Sequence, residues 1–303
     1  MNIVIFGAGA IGSLFGAILS KKNNVILVGR KDHVKIINQN GLKIYGKTNL
    51  KVKIKAVESA KKVTFTPNIL ILTVKSYDTK HAIKQTLEII DNKTVVLSLQ
   101  NGLDNIDVLK KYVDCEKIFA GVTTHGAYFK KPGVIQHTGF GDTIIGGLNR
   151  KKTSQVTSII DVFNKTNIKT NFSPNIMRDI WVKAIVNSSI NPLTTIFECK
   201  NGYLTKNPVL TGVVEKICNE SCAVAKTQGF SFSSQEMFEK TMDVIRSTSD
   251  NYSSMLQSIK RGKKSEIDSI NGIIVKIGGK FKIDTPLNKT LVLLVSRQSG
   301  ESI

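Results

Sequence analysis

The stretch MNIVIFGAGAIG, residues 1–12, decides the fold of the first half of this 303-residue chain. Residues Met1 to Phe6 are predicted to form a short buried strand, and an apolar helical segment follows from Ser13 to Ser20. The glycines between them have GxGxxG spacing, which in this strand–loop–helix context is typical of dinucleotide-binding proteins. We therefore predict a cofactor-binding loop made of Gly7, Ala8, Gly9, Ala10, Ile11 and Gly12.

The three glycines of the loop have separate physical roles. Gly7 permits the tight turn, Gly9 lets backbone approach a pyrophosphate, and Gly12 lets the helix pack closely on the strand. The amino terminus of the helix then offers unpaired N–H groups and a partial positive charge to phosphates. Because glycine-rich turns are common, an ordinary strand–turn–helix is the alternative interpretation.

The residues after the second strand indicate which dinucleotide binds. That strand is predicted over Val25 to Val28, and an NAD-selective protein usually has Asp or Glu at its end for the ribose 2′-hydroxyl. This chain has Gly29, Arg30 and Lys31 instead. Two cations suit a 2′-phosphate, so we predict an NADP(H) site in which Arg30 binds that phosphate. A solvated surface charge is the alternative role for Arg30.

The overall charge is strongly positive but carries little functional information. Lys and Arg number 43 against 23 Asp and Glu, which gives a formal net charge of +20. The lysines are scattered along the chain, with no basic tail and no interleaving of aromatic and basic residues typical of RNA-binding sheets. We expect a solvated basic surface that attracts an anionic cofactor and substrate, and no nucleic-acid partner.

Composition also bounds the location and the metal content. No stretch approaches the ~18 consecutive apolar residues of a membrane span. The chain starts in a predicted strand, so we expect no cleaved signal peptide, no membrane association and a cytoplasmic protein. The four cysteines lack CxxC spacing, and no His lies near Cys218 and Cys222 in sequence. We expect buried free thiols and no metal site.

The first half of the chain alternates strand and helix patterns. Apolar runs of strand length at Ile69–Val74, Val95–Leu99 and Ile118–Val122 are separated by helical spacing, which predicts a parallel sheet with helices on both faces. Two further segments, Leu42–Ala56 and Val134–Ile145, have the pattern of antiparallel ribbons.

After Ser173 the pattern is helical only. Ser173 and Pro174 predict an N-cap followed by proline at the first helical position. A chain of this length accommodates two domains. We predict an α/β protein with a Rossmann-type NADP-binding domain over residues 1–172 and an all-α substrate and catalytic domain over residues 173–303.

Two polar residues leave the ends of predicted parallel strands, where open α/β sheets bind ligands. Lys75 follows the strand Ile69–Val74, and Asn101 follows the strand Val95–Leu99. A lysine at this edge can pair with phosphate, ribose or a carboxylate. Asn101-Gly102 is equally well explained as turn chemistry.

The helix after Pro174 carries a more specific pattern. Lys183, Asn187 and Asn191 have i, i+4, i+8 spacing, which places them on one stripe of the helix. Asparagine supplies neutral donors and acceptors, and a desolvated lysine can protonate a carbonyl oxygen that receives hydride. A solvent-facing polar stripe is the alternative, although the apolar Trp181 and Ala184 beside it disfavour a fully wet face.

Structural roles suffice for the remaining polar candidates when each is taken alone. The hydroxyls of Ser253 and Ser254 can cap a helix or hold a carboxylate at its amino terminus. Glu266 opens the next predicted helix, where the helix dipole favours a carboxylate. His125 and His137 have no triad or metal-ligand spacing, so we interpret them as structural.

Together these segments resemble one family, the ketopantoate reductases (2-dehydropantoate 2-reductases), over essentially the whole chain. In the first half the matching motifs are Gly7-Ala-Gly9-Ala-Ile-Gly12, Arg30, Thr73-Val-Lys75-Ser, Leu99-Gln-Asn101-Gly102 and Gly121-Val-Thr-Thr-His125-Gly-Ala127. In the second half they are Trp181-Val-Lys183, Asn187, Asn191-Pro-Leu-Thr194, Asn201-Gly202, Asn251-Tyr-Ser-Ser254-Met255, and Glu266-Ile-Asp268 leading to Asn271-Gly272. The glycine loop is common to many families, whereas the second-half motifs are far more selective.

The resemblance implies NADPH-dependent reduction of 2-dehydropantoate to (R)-pantoate, on the route to pantothenate and coenzyme A. It implies that Lys183 is the general acid and that Glu266 organises the lysine or the substrate. Lys75 and Asn101 would lie between cofactor and substrate. The residues implied in substrate binding are Asn101, Lys183, Asn187, Asn191, Asn201, Asn251 and Ser254, the last of them for the carboxylate.

One departure from the family pattern bears on the substrate. Similar proteins usually read Ser-Ser-Met-x-Gln-Asp, and this chain has Ser258 in place of the Asp. We expect that position to be structural, but related reductases of other 2-oxo acids share much of the pattern. A related NADP-dependent 2-oxo or 3-hydroxy acid dehydrogenase therefore remains an alternative, as does a non-catalytic NADPH sensor. We expect a monomer or a homodimer, and the sequence does not decide between them.

Overall fold

The computed structural model describes residues 1–300, which form two compact units. The sheet unit comprises residues 1–100 and 105–179, and the helical unit comprises residues 101–104 and the chain from Ile180 onward. The chain therefore enters the helical unit for four residues after the strand that ends near Gln100, and then returns to the sheet unit.

The sheet unit alternates strands and helices. In chain order they are β1 (Asn2–Phe6), α1 (Ala10–Leu19), β2 (Asn24–Val28), α2 (Lys31–Asn40), β3 (Leu42–Gly46), β4 (Leu50–Val52), β5 (Lys55–Val57), β6 (Ile69–Leu72), α3 (Thr79–Thr86), β7 (Val95–Ser98), α4 (Asn105–Leu109), β8 (Ile118–Thr123), β9 (Gly126–Lys131), β10 (Val134–Gly139), β11 (Thr143–Gly147), α5 (Ser154–Asn164) and β12 (Thr170–Phe172).

The main sheet has the strand order β12-β11-β8-β7-β6-β1-β2-β5. From β5 to β8 every neighbouring pair is parallel, which gives the doubly wound order of a Rossmann fold and confirms the predicted fold class. The strand order reverses between β1 and β6, so the topological switch point lies where Phe6 and Leu72 end these strands. Ligands of such sheets bind at this point.

The two predicted ribbons are divided between two sheets. In Leu42–Ala56 the hairpin of β3 and β4 is antiparallel as predicted, but β5 pairs parallel with β2 in the main sheet. The prediction of one ribbon over Val134–Ile145 is wrong. There β10 pairs with β9 and β3, while β11 pairs with β8. The residues between β10 and β11 carry the chain from one sheet to the other, and local alternation of residues does not encode which strand is the partner.

Regular structure in the helical unit is all helical, as predicted. It contains most of α6 (Ile176–Ile196), then α7 (Pro208–Thr227), α8 (Ser234–Ser247), α9 (Ser254–Ile259), α10 (Ile273–Lys280) and α11 (Pro286–Gln298), with a 3₁₀ turn at Asn201–Thr205 and a π-helical turn at Asp268–Gly272. Its core buries Leu103, from the segment 101–104, together with Ile185, Ile217, Ile245 and Ile274. No helix in residues 1–300 combines the length and apolar character needed to cross a membrane.

Helix α6 starts later than the sequence predicts. Asn175 is its cap, because its Oδ1 accepts a hydrogen bond from the Arg178 N–H at 3.3 Å. Ser173 instead organises the preceding turn, where its Oγ accepts from the Asn175 N–H at 3.2 Å. A second side chain able to cap therefore displaces the predicted start by two residues.

The prediction of buried thiols holds for two of the four cysteines. Cys218 and Cys222 are buried, Cys199 is partly exposed and Cys115 is exposed. Burial raises the pKa of Cys222 to about 11 and also raises that of Cys218, so both stay protonated and unreactive at neutral pH. Within residues 1–300 no three side chains of His, Cys, Asp or Glu converge as metal ligands would.

The packing at Gly12 gives a test of this fold. A Cβ at Gly12 would overlap Gly7 O and Thr73 Oγ1, so Gly12→Ala should lower the free energy of unfolding by about 1–3 kcal/mol. Gly212 in α7 is the matched control, since a Cβ there meets nothing within 4 Å. Gly212→Ala should stabilise the protein by about 0.5–1 kcal/mol. Urea unfolding measures both changes, and an unaltered midpoint for Gly12→Ala would contradict this packing.

Candidate functional site

The glycine loop closes tightly on the switch point of the main sheet. Gly7 has φ +115°, and a Cβ there would lie 2.5 Å from the Val74 nitrogen. The N–H groups of Gly7 and Ala8 both donate to Val28 O, at 3.0 and 2.9 Å. Thr73 Oγ1 donates to Gly7 O at 2.7 Å. Only glycine fits the conformation at Gly7, and the loop is held to the ends of both β2 and β6.

The space over Gly9 is open, in contrast to Gly7 and Gly12. A Cβ at Gly9 would meet only Gly7 O, at 3.9 Å. Gly9 is also the N-cap of α1, whose first turn carries no acidic residue, so unpaired N–H groups point outward there without a competing carboxylate. This backbone cradle suits a pyrophosphate, because it combines room for close approach with a positive helix end.

Arg30 lies at the end of β2, beside this loop. It is exposed and precedes the first turn of α2 in an extended conformation. The nearest carboxylate that follows it, Asp32, lies within that first turn, where the helix dipole stabilises it. The end of the strand itself therefore presents a cation and no carboxylate.

The ends of β6 and β7 are joined by a polar network around Gln100. Gln100 Nε2 donates to Val74 O at 3.1 Å and to Thr79 Oγ1 at 2.7 Å, and its Oε1 accepts from Ser98 Oγ at 3.0 Å. Lys75 follows Val74 directly and is half-buried. Sequence reasoning did not single out Gln100 as the residue that ties these two strand ends together.

Asn101 begins the four-residue excursion into the helical unit. Gly102 has φ +99°, so the turn interpretation of Asn101-Gly102 holds for the glycine. The Leu103 N–H donates to Ser269 O at 3.0 Å, and Ser269 Oγ donates to Asp104 Oδ2 at 3.3 Å. Asn101 therefore borders a segment that is held by the π-helical turn, a placement that its position after β7 did not predict.

The predicted polar stripe on α6 is not a solvent-facing surface. Asn191 is only 5% exposed, and Lys183 and Asn187 are partly buried. The amide Nδ2 of Asn191 has no hydrogen-bond partner within the described residues. A buried donor without a partner is costly, so this atom is available to a ligand that offers an oxygen.

Lys183 has the altered acidity expected of a proton donor. Burial lowers its pKa to about 8, and the negative charge of the buried Glu266 opposes this shift. Lys183 keeps partial solvent exposure. A lysine with this pKa is protonated at neutral pH yet releases its proton far more readily than a surface lysine.

A hydroxyl pair joins α6 to α9 and identifies the serine that caps α9. Thr194 Oγ1 donates to Ser253 Oγ at 2.7 Å, and Ser253 Oγ accepts from the Leu256 N–H at 3.3 Å. Ser253 is therefore the cap of α9, and Ser254 at its first position is exposed. Ser258, where similar proteins have Asp, is buried and donates to Ser254 O at 3.0 Å, so it has a structural role in α9.

Asn201 and Asn251 lie next to each other in the helical unit. The Asn201 N–H donates to Asn251 O at 2.9 Å, and Asn201 Nδ2 donates to Thr248 Oγ1 at 2.8 Å. Asn201 is 6% exposed, and its Oδ1 accepts from no group in residues 1–300. A second buried amide atom is thus available for a ligand.

The two histidines pair with each other in the sheet unit. His137 Nδ1 lies 2.9 Å from Thr48 Oγ1, and its Nε2 lies 3.2 Å from His125 Nδ1. Burial is the larger cause and the neighbouring His137 the smaller cause that lower the pKa of His125 to about 4. Burial also lowers the pKa of His137. Both rings are neutral at pH 7, which agrees with their structural interpretation.

Comparison with known proteins covers both units. The model of the family "Ketopantoate reductase PanE/ApbA" matches residues 3–150, and the model of its C-terminal domain matches residues 175–299. The 2-dehydropantoate 2-reductase of Pyrococcus abyssi is 42% identical over 96% of this chain and 95% of its own length. That of Pyrococcus horikoshii is 40% identical over 99% and 98% of the two chains.

The chain is also similar to solved structures of proteins with different names. A D-mandelate dehydrogenase in a ternary structure with NADH and anilino(oxo)acetate superposes with a TM-score of 0.94 at 29% identity, over 99% of both chains. A PanE/ApbA family ketopantoate reductase from Ralstonia eutropha superposes with a TM-score of 0.91, also at 29% identity and over 99% of both chains. With its glycine loop, its lysine–asparagine helix and these full-length matches, the chain belongs to the ketopantoate reductase family.

Proposed function

We propose that this protein reduces 2-dehydropantoate to (R)-pantoate, with NADPH as hydride donor and Lys183 as general acid. The observation that carries the proposal is the state of Lys183, which is protonated at neutral pH with a pKa of about 8 and lies on the same helix as the available amide of Asn191. Relatives at 42% and 40% identity named 2-dehydropantoate 2-reductase support this substrate. The reaction would supply (R)-pantoate for the synthesis of pantothenate and coenzyme A in the cytoplasm.

The sheet unit would hold the dinucleotide. N–H groups at the start of α1, over the open backbone of Gly9, would bind the pyrophosphate, and Arg30 would bind the 2′-phosphate. Lys75 and Asn101, at the ends of β6 and β7, would lie near the substrate side of the cofactor. When bound, NADPH supplies the hydride that is added to the ketone carbon.

Lys183 would supply the proton. Negative charge develops on the ketone oxygen as the carbon is reduced, and the Lys183 ammonium stabilises that charge and donates the proton to it. Glu266 would keep the lysine charged by opposing the effect of its burial. Glu266 would therefore help to set the pH above which Lys183 loses the proton that it donates.

The neutral side chains would orient the substrate. The buried amide atoms Asn191 Nδ2 and Asn201 Oδ1 offer one donor and one acceptor to substrate oxygens. Asn187 and Asn251 would add further polar contacts, and the exposed Ser254 hydroxyl at the start of α9 suits a carboxylate. Fixed neutral groups of this kind lower the entropic cost of reaching the reactive geometry without taking part in proton transfer.

A second candidate is the reduction of a bulkier 2-oxo acid with NADH. The high structural similarity to a D-mandelate dehydrogenase that binds NADH favours it. The cationic Arg30 at the end of β2 and the greater identity to 2-dehydropantoate 2-reductases favour our first proposal.

A substrate panel tests these two candidates. Oxidation of NADPH and NADH should be followed with 2-dehydropantoate, pyruvate, 2-oxoisovalerate, oxaloacetate and phenylglyoxylate. We expect the highest kcat/KM for 2-dehydropantoate with NADPH. A preference for phenylglyoxylate would support the second candidate, and dinucleotide binding without turnover of any 2-oxo acid would indicate a sensor.

The role of Lys183 predicts a specific pH dependence. Because only the protonated lysine donates, kcat should be constant well below pH 8 and fall about tenfold per pH unit above it. Lys183→Ala should lower kcat by about 10²–10⁴-fold, and Glu266→Gln should move the alkaline limb to lower pH because it removes the charge that raises the pKa of Lys183. Lys216→Ala, at an exposed position of α7, is the control for general charge effects. Near-normal turnover by Lys183→Ala would exclude this role.

The role of Arg30 predicts selective loss of NADPH binding. Removal of a charge-assisted hydrogen bond to a phosphate should weaken binding by about 10–100-fold, whereas NADH lacks that phosphate and should bind as before. Arg30→Ala can be compared with Lys35→Ala, an exposed lysine one turn later in α2, by fluorescence titration with both dinucleotides. Equal losses for NADPH and NADH would argue against recognition of the 2′-phosphate.

A further inference from the structure

A proline interrupts the backbone hydrogen bonding of α6 next to the candidate site. Helix α6 continues through Pro192, which has no N–H to donate to the carbonyl four residues earlier. That carbonyl belongs to Ser188, which is fully buried and cannot use water instead. The Asn271 side chain fills the gap, since its Nδ2 donates to Ser188 O at 2.8 Å.

A chain of hydrogen bonds fixes the orientation of the Asn271 amide. Asn271 Nδ2 also donates to Asn288 Oδ1 at 3.0 Å, and Asn288 Nδ2 donates to Glu220 Oε2 at 2.8 Å. The two Glu220 oxygens accept from the N–H groups of Leu287 and Asn288 at 2.9 and 3.0 Å, at the start of α11. Because a carboxylate accepts only, the direction of every bond back to Ser188 is determined.

The location of Asn271 connects this chain to the reaction. Asn271 lies in the π-helical turn Asp268–Gly272, and this turn begins two residues after Glu266. Ser188 lies on α6 between the positions of Lys183 and Asn191. π-Helical turns are rare and are frequently found at functional sites. Here the turn places one amide against the single carbonyl of α6 that the proline leaves unpaired.

We propose that Asn271 is a positioning residue that fixes the segment carrying Glu266 to α6, and thereby fixes the charge of Glu266 relative to Lys183. The inference rests on the proposed role of Lys183. Pro192 is required for this contact, because any other residue at position 192 would offer its own N–H to Ser188 O. The rigid link exists only because one bond of α6 is missing.

Asn271→Leu removes both N–H donors and keeps the same branched arrangement of side-chain heavy atoms. If Asn271 positions Glu266, the charge of Glu266 acts more weakly on Lys183 in this variant, so the pKa of Lys183 should fall by at least half a unit and kcat at pH 8 should fall about twofold or more. NADPH affinity should change less than twofold, because the glycine loop belongs to the sheet unit. The lysine titration is measured by NMR on protein labelled with ¹³C-lysine, with Lys183→Arg to assign the signal, and kcat is measured against pH.

Pro192→Ala separates positioning from simple stability. In the double variant with Asn271→Leu, the Pro192→Ala change supplies the N–H that Ser188 O lacks, so the Tm should recover. The pKa of Lys183 and the alkaline limb of the kcat–pH profile should stay displaced. Thr195→Val is the matched control, since it removes a buried hydrogen bond of α6, Thr195 Oγ1 to Asn191 O at 2.7 Å, that does not reach the π-helical turn. It should lower the Tm without moving the titration of Lys183.

Two results would overturn the inference. One is an Asn271→Leu protein with a lower Tm but the wild-type lysine pKa, and the other is full recovery of that pKa by Pro192→Ala. If Asn271→Leu does not fold, Asn288→Ala frees the amide of Asn271 to rotate and should displace the titration in the same direction; an unmoved titration there would also overturn it. The NMR titration needs no substrate, so an enzyme that reduces no 2-oxo acid would refute the proposed function without deciding this one.

Discussion

The fold depends on backbone contact at the switch point of the main sheet. Gly7 and Gly12 lack side chains where the loop meets the ends of β6 and β2, and any Cβ at either position would overlap backbone atoms. This contact lets β1, α1 and β6 converge, and it leaves the space over Gly9 open. The same steric constraint therefore builds the sheet unit and creates the cradle that suits a dinucleotide.

Much of the fold is readable from the sequence because the decisive signals are local. The strand–GxGxxG–helix stretch, the alternation before residue 172 and the purely helical pattern after it predict the fold class correctly. Pairing between distant strands is not local, so the sequence did not reveal that β5 and β11 belong to the main sheet while β3 and β10 pair in a second one. Alternation of residues states which face is buried and says nothing about the neighbouring strand.

The candidate site, like the fold, could be predicted from the sequence only where its features are local. The stripe of Lys183, Asn187 and Asn191 follows from helical periodicity alone, and the structure shows that it is largely withdrawn from solvent. The acidity of Lys183, the hydroxyl pair of Thr194 with Ser253, and the bond from Asn271 to Ser188 O depend on contacts between helices. A π-helical turn has no periodic signature strong enough to be recognised within a short helix, so Asn271 was visible only as part of a family motif.

The excursion of residues 101–104 has a consequence for folding. Leu103 is buried in the core of the helical unit although the chain around it belongs to the sheet unit. A fragment that begins at Ile180 would therefore lack one of its own core side chains and the N–H that donates to Ser269 O. The two units are interlaced in sequence, so neither corresponds to a separable gene segment. During synthesis the helical unit completes its core around a residue translated some eighty positions earlier, and the two folding events are coupled.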